Sequence, residues 1–238
     1  MYFRLSFMKE GFGMKKHKNK ELEKPVNGFD LEDLVIEEQN NNDVKMSRSK
    51  PTLREEIERA ITDIKDFPKK GILFKDITTF LHNGKLFREY IDMLANRYQS
   101  YKIEYVIGIE ARGFMLGSAL AYALNAGFVP IRKKGKLPGK VLSQTYTLEY
   151  GKDSMEIKED AFAGIKGVNV ILIDDLIATG GTANAALKLI QKLEAKCIEL
   201  PCLINLTEFS ECKDRKEIDS KTHIFPLIDI KSDDEGKK

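Results

Sequence analysis

Apolar positions along the chain follow first a helical period, then short unbroken runs, and this change predicts a layered architecture. Leu53, Ile57, Ala60, Ile61 and Ile64 recur at helical spacing in "TLREEIERAITDI". Thr52 ahead of them, with Glu55 three residues later, forms a capping-box pattern, so a helix is expected over 52–64, ended by Pro68. Leu86, Tyr90, Ile91, Leu94 and Tyr98 mark a second helix over 85–99. Beyond it, apolar runs alternate with helical stretches. Strands are expected at "YVIGI" (105–109), "FVPI" (128–131), "VNVILI" (168–173) and "CIELPCLI" (197–204), and "HIFPLI" (223–228) closes the series. Helices are expected between them, at 114–125 and 182–195. Nearly continuous apolar strands alternating with helices define an α/β class, a central, mainly parallel β-sheet buried between helices.

The pattern changes once more between Lys133 and Lys166. "SQTYTLEYG" alternates and is rich in Thr and Tyr, as is the stretch around Met155 and Ile157. That predicts a small antiparallel flap, about 133–160, inserted into the α/β core. Residues 1–50 differ from everything after them. They carry "KKHKNK" and "EEQNNND" with sparse apolar residues, the composition of a disordered extension. Met46 offers an alternative start, and the lysine run is expected to be solvated rather than to hold an anionic partner. The organised domain is expected over 51–230, followed by a polar tail over 231–238.

Composition narrows the function classes. With 39 Lys and Arg against 37 Asp and Glu, the net charge of +2 gives no argument for a nucleic-acid or membrane partner. The three cysteines, Cys197, Cys202 and Cys212, and three scattered histidines make no metal-ligand pattern, so free thiols in a reducing compartment are expected. No apolar run approaches the ~18 residues of a membrane span, and "MYFRLSFMKEGFGMKKHKNK" lacks the apolar core of a signal peptide. A cytoplasmic protein is expected.

The chemistry lies in "VILIDDLIATGGTANAA", residues 170–186. An apolar strand runs into Asp174 and Asp175, and Ala178, Thr179, Gly180, Gly181 and Thr182 then turn into a helix. In an open parallel sheet, ligands bind at the carboxyl ends of strands. Glycines let backbone N–H groups approach an anion, and a helix N-terminus adds partial positive charge. Two carboxylates would repel a phosphate unless they face donors, and ribose hydroxyls are such donors. The stretch therefore asks for a ribose 5-phosphate, sugar on the aspartates and phosphate in the turn. Neither a G-x-x-x-x-G-K-[ST] nor a G-x-G-x-x-G motif is present.

"VILIDDLIATGGT" resembles the phosphoribosyl-pyrophosphate motif of the type I phosphoribosyltransferases. "DFPKKGILFKDIT", "GIEARGF", "IRKKGKLPG" and "YTLEYGKDSMEIKEDA" resemble the adenine phosphoribosyltransferases, in that family's order, over about 52–207. The resemblance implies the type I fold and conversion of adenine and phosphoribosyl pyrophosphate to AMP and pyrophosphate, with Mg2+ held mainly by substrate and water. It also implies a homodimer. Family members that use 6-oxopurines carry an aspartate where Ala178 stands, so Ala178 suits adenine.

Residue roles follow from the same resemblance. Glu110, Ala111 and Arg112 match the pyrophosphate turn, with a peptide between the first two that is often cis in the family. Arg132, Lys133 and Lys136 in "RKKGKLPGK" match cations on the leaving pyrophosphate, joined by Tyr150; Lys134 and Lys140 are expected to be solvated. As the C1–O bond breaks, pyrophosphate gains charge, so such cations stabilise the transition state above the ground state. Glu149 matches an acid that accepts the N9 proton of adenine, and Arg112 is its expected catalytic companion. Leu73, Phe74 and Lys75 match the base site, Phe74 stacking and the flanking backbone reading the purine edge, with Ala178 and Leu206 as further walls. Three departures stand out. Lys75 replaces an arginine, Asn205 replaces an acid, and the glycine usual after "LT.." is missing from "LTEFSECKDRKEI". Two other readings remain: a transferase for another base, and a regulator that binds phosphoribosyl pyrophosphate without turnover. The regulator would keep Asp174 to Thr182 but has no need of Glu149.

Overall fold

The computed structural model describes residues 50–148 and 151–231. The expected extension and tail fall outside them but for Lys50 and Lys231, as do Glu149 and Tyr150. The chain begins with α1 (Leu53–Ala60), β1 (Thr62–Lys65), β2 (Leu73–Asp76), α2 (Thr78–His82) and α3 (Gly84–Tyr98). Then come β3 (Tyr105–Ile109), α4 (Arg112–Leu124), β4 (Gly127–Lys133), β5 (Val141–Leu148) and β6 (Gly151–Lys158). It continues with β7 (Asn169–Ile177), α5 (Gly181–Lys192), β8 (Lys196–Leu206), a 3-10 turn (Thr207–Phe209), α6 (Lys213–Asp219) and β9 (Ile224–Ile230).

Seven strands form one sheet in the order β5-β6-β4-β3-β7-β8-β9. From β4 to β9 neighbours are parallel, while β6 runs antiparallel to both β4 and β5. The α/β sheet expected from the apolar runs is therefore present. Alternation along its strands sends apolar side chains to two separate cores. Val106, Ile171, Ile173 and Leu203 pack with Tyr90, Leu94 and Leu120 of α3 and α4. Ile107, Ile109, Val170 and Leu172 pack with Ala186, Leu189 and Ile190 of α5. Burying each such Leu or Ile side chain stabilises by about 1.5–3 kcal/mol.

Four expectations are corrected in detail. The first helix stops at Ala60 rather than Ile64, although its capping box forms in both directions between Thr52 and Glu55. The Thr79 hydroxyl takes the Ala60 carbonyl, and Thr62–Lys65 pairs with β2, Ile64 opposite Phe74. Ile64 is exposed, so its helical spacing was coincidental. Second, the expected antiparallel flap is the β5–β6 hairpin, and it is continuous with the main sheet, since Arg132 pairs with Glu156 and Lys133 with Met155. Met155 and Ile157 at its base are buried in the main core. Third, β7 does not end at Ile173 but runs on to Ile177. Fourth, α2 and α6 were not expected, and α6 occupies the stretch without the family's glycine. Each is short, and α6 buries only Arg215 and Ile218, too little for a period to show.

Close packing of α4 on the sheet needs Gly113. A Cβ there would lie 2.8 Å from the Ile173 carbonyl oxygen and 3.1 Å from Asp174 Oδ1. Gly113→Ala is therefore expected to lower stability by about 1–3 kcal/mol, read as a shifted denaturant midpoint. An unchanged midpoint would mean that α4 can lift without loss.

Candidate active site

β7 carries the site because its two neighbours end at different places. Pairing with β3 ends at Gly108 opposite Ile173. Pairing with β8 continues through Asp174 opposite Cys202 to Ile177 opposite Asn205. Asp174 and Asp175 thus remain in a held strand yet lie past the last residue pair with β3. That places them at the expected rim without fraying. They border a cleft of about 290 Å³ lined by Ile109, Glu110, Ala111, Arg112, Lys133, Tyr146, Asp153, Met155, Asp174, Asp175, Leu176 and Thr182.

The two aspartates differ. Asp175 is buried, and its Oδ2 lies 2.9 Å from the Arg112 guanidinium, an ion pair without hydrogen-bond alignment. Asp174 is hemmed in by protein but keeps part of its surface open, and its Oδ1 accepts the Asp175 N–H at 3.0 Å. Burial raises the carboxyl of Asp174, and the Asp175 charge adds to that. Burial also raises Asp175, while Arg112 opposes it. Two close acids disfavour each other's charge, and hydroxyl donors from a ligand would favour the charged form of both.

Beyond Ile177 the chain turns through Ala178 and Thr179 to Gly180, whose φ of 84° belongs to the left-handed region. Gly180 is the N-cap of α5, and no side chain caps this helix. Its first-turn N–H groups keep their donor capacity, as an anion site requires.

Arg112 is the first residue of α4, not part of a free turn. The peptide between Glu110 and Ala111 is cis, as the resemblance implied. The Arg112 side chain turns toward the base-site residues. One NH1 donates to the Lys75 carbonyl at 3.1 Å, and the guanidinium lies 4.8 Å from the Phe74 ring centroid. Phe74 is half-buried and meets Phe67 edge to face at 5.1 Å, so it is no core residue. The Lys75 ammonium pairs with Asp63 at 2.8 Å across the β1–β2 hairpin, which leaves only its backbone for a ligand. Leu73 is half-buried on the same strand. Leu206 ends β8 and packs with the α3–α4 core. Asn205 donates to Asp229 at 2.7 Å on β9, away from the cleft.

The cation cluster is already partnered. Glu110 accepts from Arg132 Nε at 3.2 Å, from the Lys133 N–H at 3.0 Å and from the Lys136 ammonium. Burial pushes the Glu110 carboxyl up, but these donors outweigh it and hold it at about 2. The Lys133 ammonium stands 3.7 Å from Asp153, whose Oδ2 lies 3.4 Å from the Tyr146 hydroxyl. Lys134 and Lys140 are exposed, as expected. Glu110 has a folded value below its ordinary 4.5, so it stabilises the fold above pH 4.5 and loses this contribution as pH falls toward about 2. Glu110→Gln is expected to flatten the stability–pH curve across that interval, measured by unfolding at stepped pH. An unchanged curve would remove the Glu110 cluster as an acid-labile element.

Sequence reasoning missed Tyr146, Asp153 and Arg215. The first two were legible only as alternating flap residues, because the hairpin's register brings them to the cleft. Arg215 gave no local signal. Among the described residues, no group of three or more His, Cys, Asp or Glu could hold a metal ion by itself. The three cysteines are free, and burial pushes the Cys197 thiol up to about 12. No described helix is long and apolar enough to cross a membrane.

The mainly parallel sheet thus brings to one cleft an acid pair near its rim, the start of an uncapped helix behind a glycine turn, and the cations Arg112 and Lys133. The family model described as a phosphoribosyl transferase domain matches residues 76–233. An adenine phosphoribosyltransferase of Helicobacter pylori is 64% identical over 157 residues, 66% of this chain and 88% of that protein. Two solved adenine phosphoribosyltransferases are similar in structure. That of Thermoanaerobacter pseudethanolicus is 46% identical at a TM-score of 0.69, covering 75% of this chain and all (100%) of that one. That of Saccharomyces cerevisiae, solved with an imino-altritol bisphosphate and adenine, is 40% identical at 0.68, covering 74% and 98%. The chain belongs to the phosphoribosyltransferase family, among the adenine phosphoribosyltransferases.

Proposed function

We propose that this protein is a purine-salvage transferase that converts adenine and phosphoribosyl pyrophosphate to AMP and pyrophosphate, with residues 51–230 as its catalytic domain. The observation that carries this reading is the position of Asp174 and Asp175 past the last residue pair with β3, on the strand that leads into the uncapped N-terminus of α5.

Asp174 and Asp175 accept hydrogen bonds from the ribose hydroxyls. Ala178, Thr179, Gly180, Gly181 and Thr182 hold the 5′-phosphate through backbone N–H and threonine hydroxyl groups. The pyrophosphate lies against the backbone of Glu110 and Ala111; Arg132, Lys133 and Lys136 compensate its charge, and the Tyr150 hydroxyl donates to it. Glu110 and Asp153 keep those cations neutralised until substrate arrives. The diphosphate then replaces carboxylates as their partner, so the gain grows as the C1–O bond breaks.

Adenine lies on Phe74, between the backbones of Leu73 and Lys75, with Ala178 and Leu206 beside it. Arg112 ties this base strand to the ribose acids through Lys75 and Asp175. When N9 attacks C1, Glu149 takes the N9 proton while pyrophosphate departs with the C1–O electron pair. Magnesium fits this site as an ion carried in by the diphosphate, with Asp174 offering one hard oxygen at the cleft. When bound, it neutralises diphosphate charge.

The assembly is a homodimer in the cytoplasm. Exposed Met115 and Tyr122 on α4 suit contact with a second copy, and free thiols suit a reducing compartment. Incubation with adenine, phosphoribosyl pyrophosphate and magnesium is expected to yield AMP by chromatography. Its absence, with intact protein, would overturn the transferase reading.

A further inference from the structure

We propose that Arg215 is the positioning residue of the 5′-phosphate loop, a buried cation on α6 that orients the Ala178–Thr182 turn toward the phosphate. This rests on the reading that the turn holds that phosphate.

Arg215 is only 4% exposed. Its NH1 donates to the Ala178 carbonyl at 3.1 Å. Its stem lies against Gly180, where an added Cβ would meet Arg215 Cδ at 2.9 Å and Ile218 Cδ1 at 3.0 Å. Nε has no hydrogen-bond partner, and among the described residues no carboxylate forms an ion pair with the guanidinium. A buried charge without a counter-charge is costly, and an apolar side chain would fill the same space without that cost. An anion arriving across the turn would supply the missing charge.

Geometry says how the residue acts. The peptide after Ala178 is trans, so its carbonyl and the Thr179 N–H point in opposite directions. Holding the carbonyl toward α6 turns the Thr179 N–H away from Arg215, to the other side of the loop. α6 itself is clasped to α5, the other half of the cradle. Buried Asn184 donates from Nδ2 to Asp214 at 2.6 Å and to Glu217 at 2.7 Å. Lys188 pairs with Glu217 at 3.1 Å. The clasp fixes Arg215 relative to the N-terminus of α5, so loop and helix present their donors together.

The test compares wild type, Arg215→Met and Arg215→Lys by calorimetry with ribose 5-phosphate and, separately, with pyrophosphate. Arg215→Met is expected to weaken ribose 5-phosphate about tenfold or more and to raise KM for phosphoribosyl pyrophosphate in step. Pyrophosphate affinity and KM for adenine stay at wild-type values. Arg215→Lys keeps the charge and restores part of the loss. Equal ribose 5-phosphate affinity in wild type and Arg215→Met would overturn the proposal, and so would equal losses for both ligands, the mark of general loosening. If Arg215→Met does not fold, the lysine variant decides: a severalfold loss confined to ribose 5-phosphate supports the role, and wild-type affinity overturns it. Failure of the wild type to bind ribose 5-phosphate would instead remove the loop reading, and this proposal with it.

Discussion

Replacing Asp174 and Asp175 together with asparagine is expected to weaken phosphoribosyl pyrophosphate binding by about a hundredfold or more, measured by calorimetry. Each carboxylate accepts a ribose hydroxyl, and a hydrogen bond to a charged group contributes about 1.5–3 kcal/mol. The single variants differ. Asp174 opens on the cleft, so Asp174→Asn removes a sugar contact and the hard oxygen it offers magnesium, and leaves the Arg112 ion pair in place. Asp175→Asn also strips Arg112 of its ion pair and frees the guanidinium from between Asp175 and Lys75. Its effect therefore extends to the base, as a higher KM for adenine. Wild-type affinity in the double variant would contradict the ribose assignment.

The second large effect concerns turnover. Glu149→Gln is expected to lower kcat by about 10²–10⁴, the usual contribution of a positioned general base, with little change in phosphoribosyl pyrophosphate affinity. Glutamine matches the size of glutamate but cannot take the N9 proton. The reaction then depends on water, and a flattened acid limb in the pH profile of kcat accompanies the loss. Turnover at the wild-type level would remove Glu149 as the base.

What could be read from the sequence was local. Thr52 and Glu55 satisfy each other within one turn, so their capping box needed no tertiary information. The apolar strands were legible because both faces of a parallel sheet are buried. Ile64 misled because its spacing from Ile57 suits a helix, while pairing with β2 decided its conformation. The length of β7 was set by β8 alone, a neighbour whose register no local pattern records. Arg112 stood out through its motif, but the direction of its side chain depends on Lys75 and Asp175, far apart in the chain. Arg215 was invisible for the same reason. Its meaning comes from Ala178 and Gly180, reached across the fold.

The most direct measurement is pyrophosphate release from phosphoribosyl pyrophosphate and magnesium, with adenine, hypoxanthine, guanine, xanthine and orotate in parallel. Release with adenine alone is the predicted result, and it would make Ala178 and the Phe74 strand the selecting elements. Release only with another base would contradict the assignment of adenine. No release with any base, alongside tight phosphoribosyl pyrophosphate binding, would contradict the enzyme and leave a binding protein.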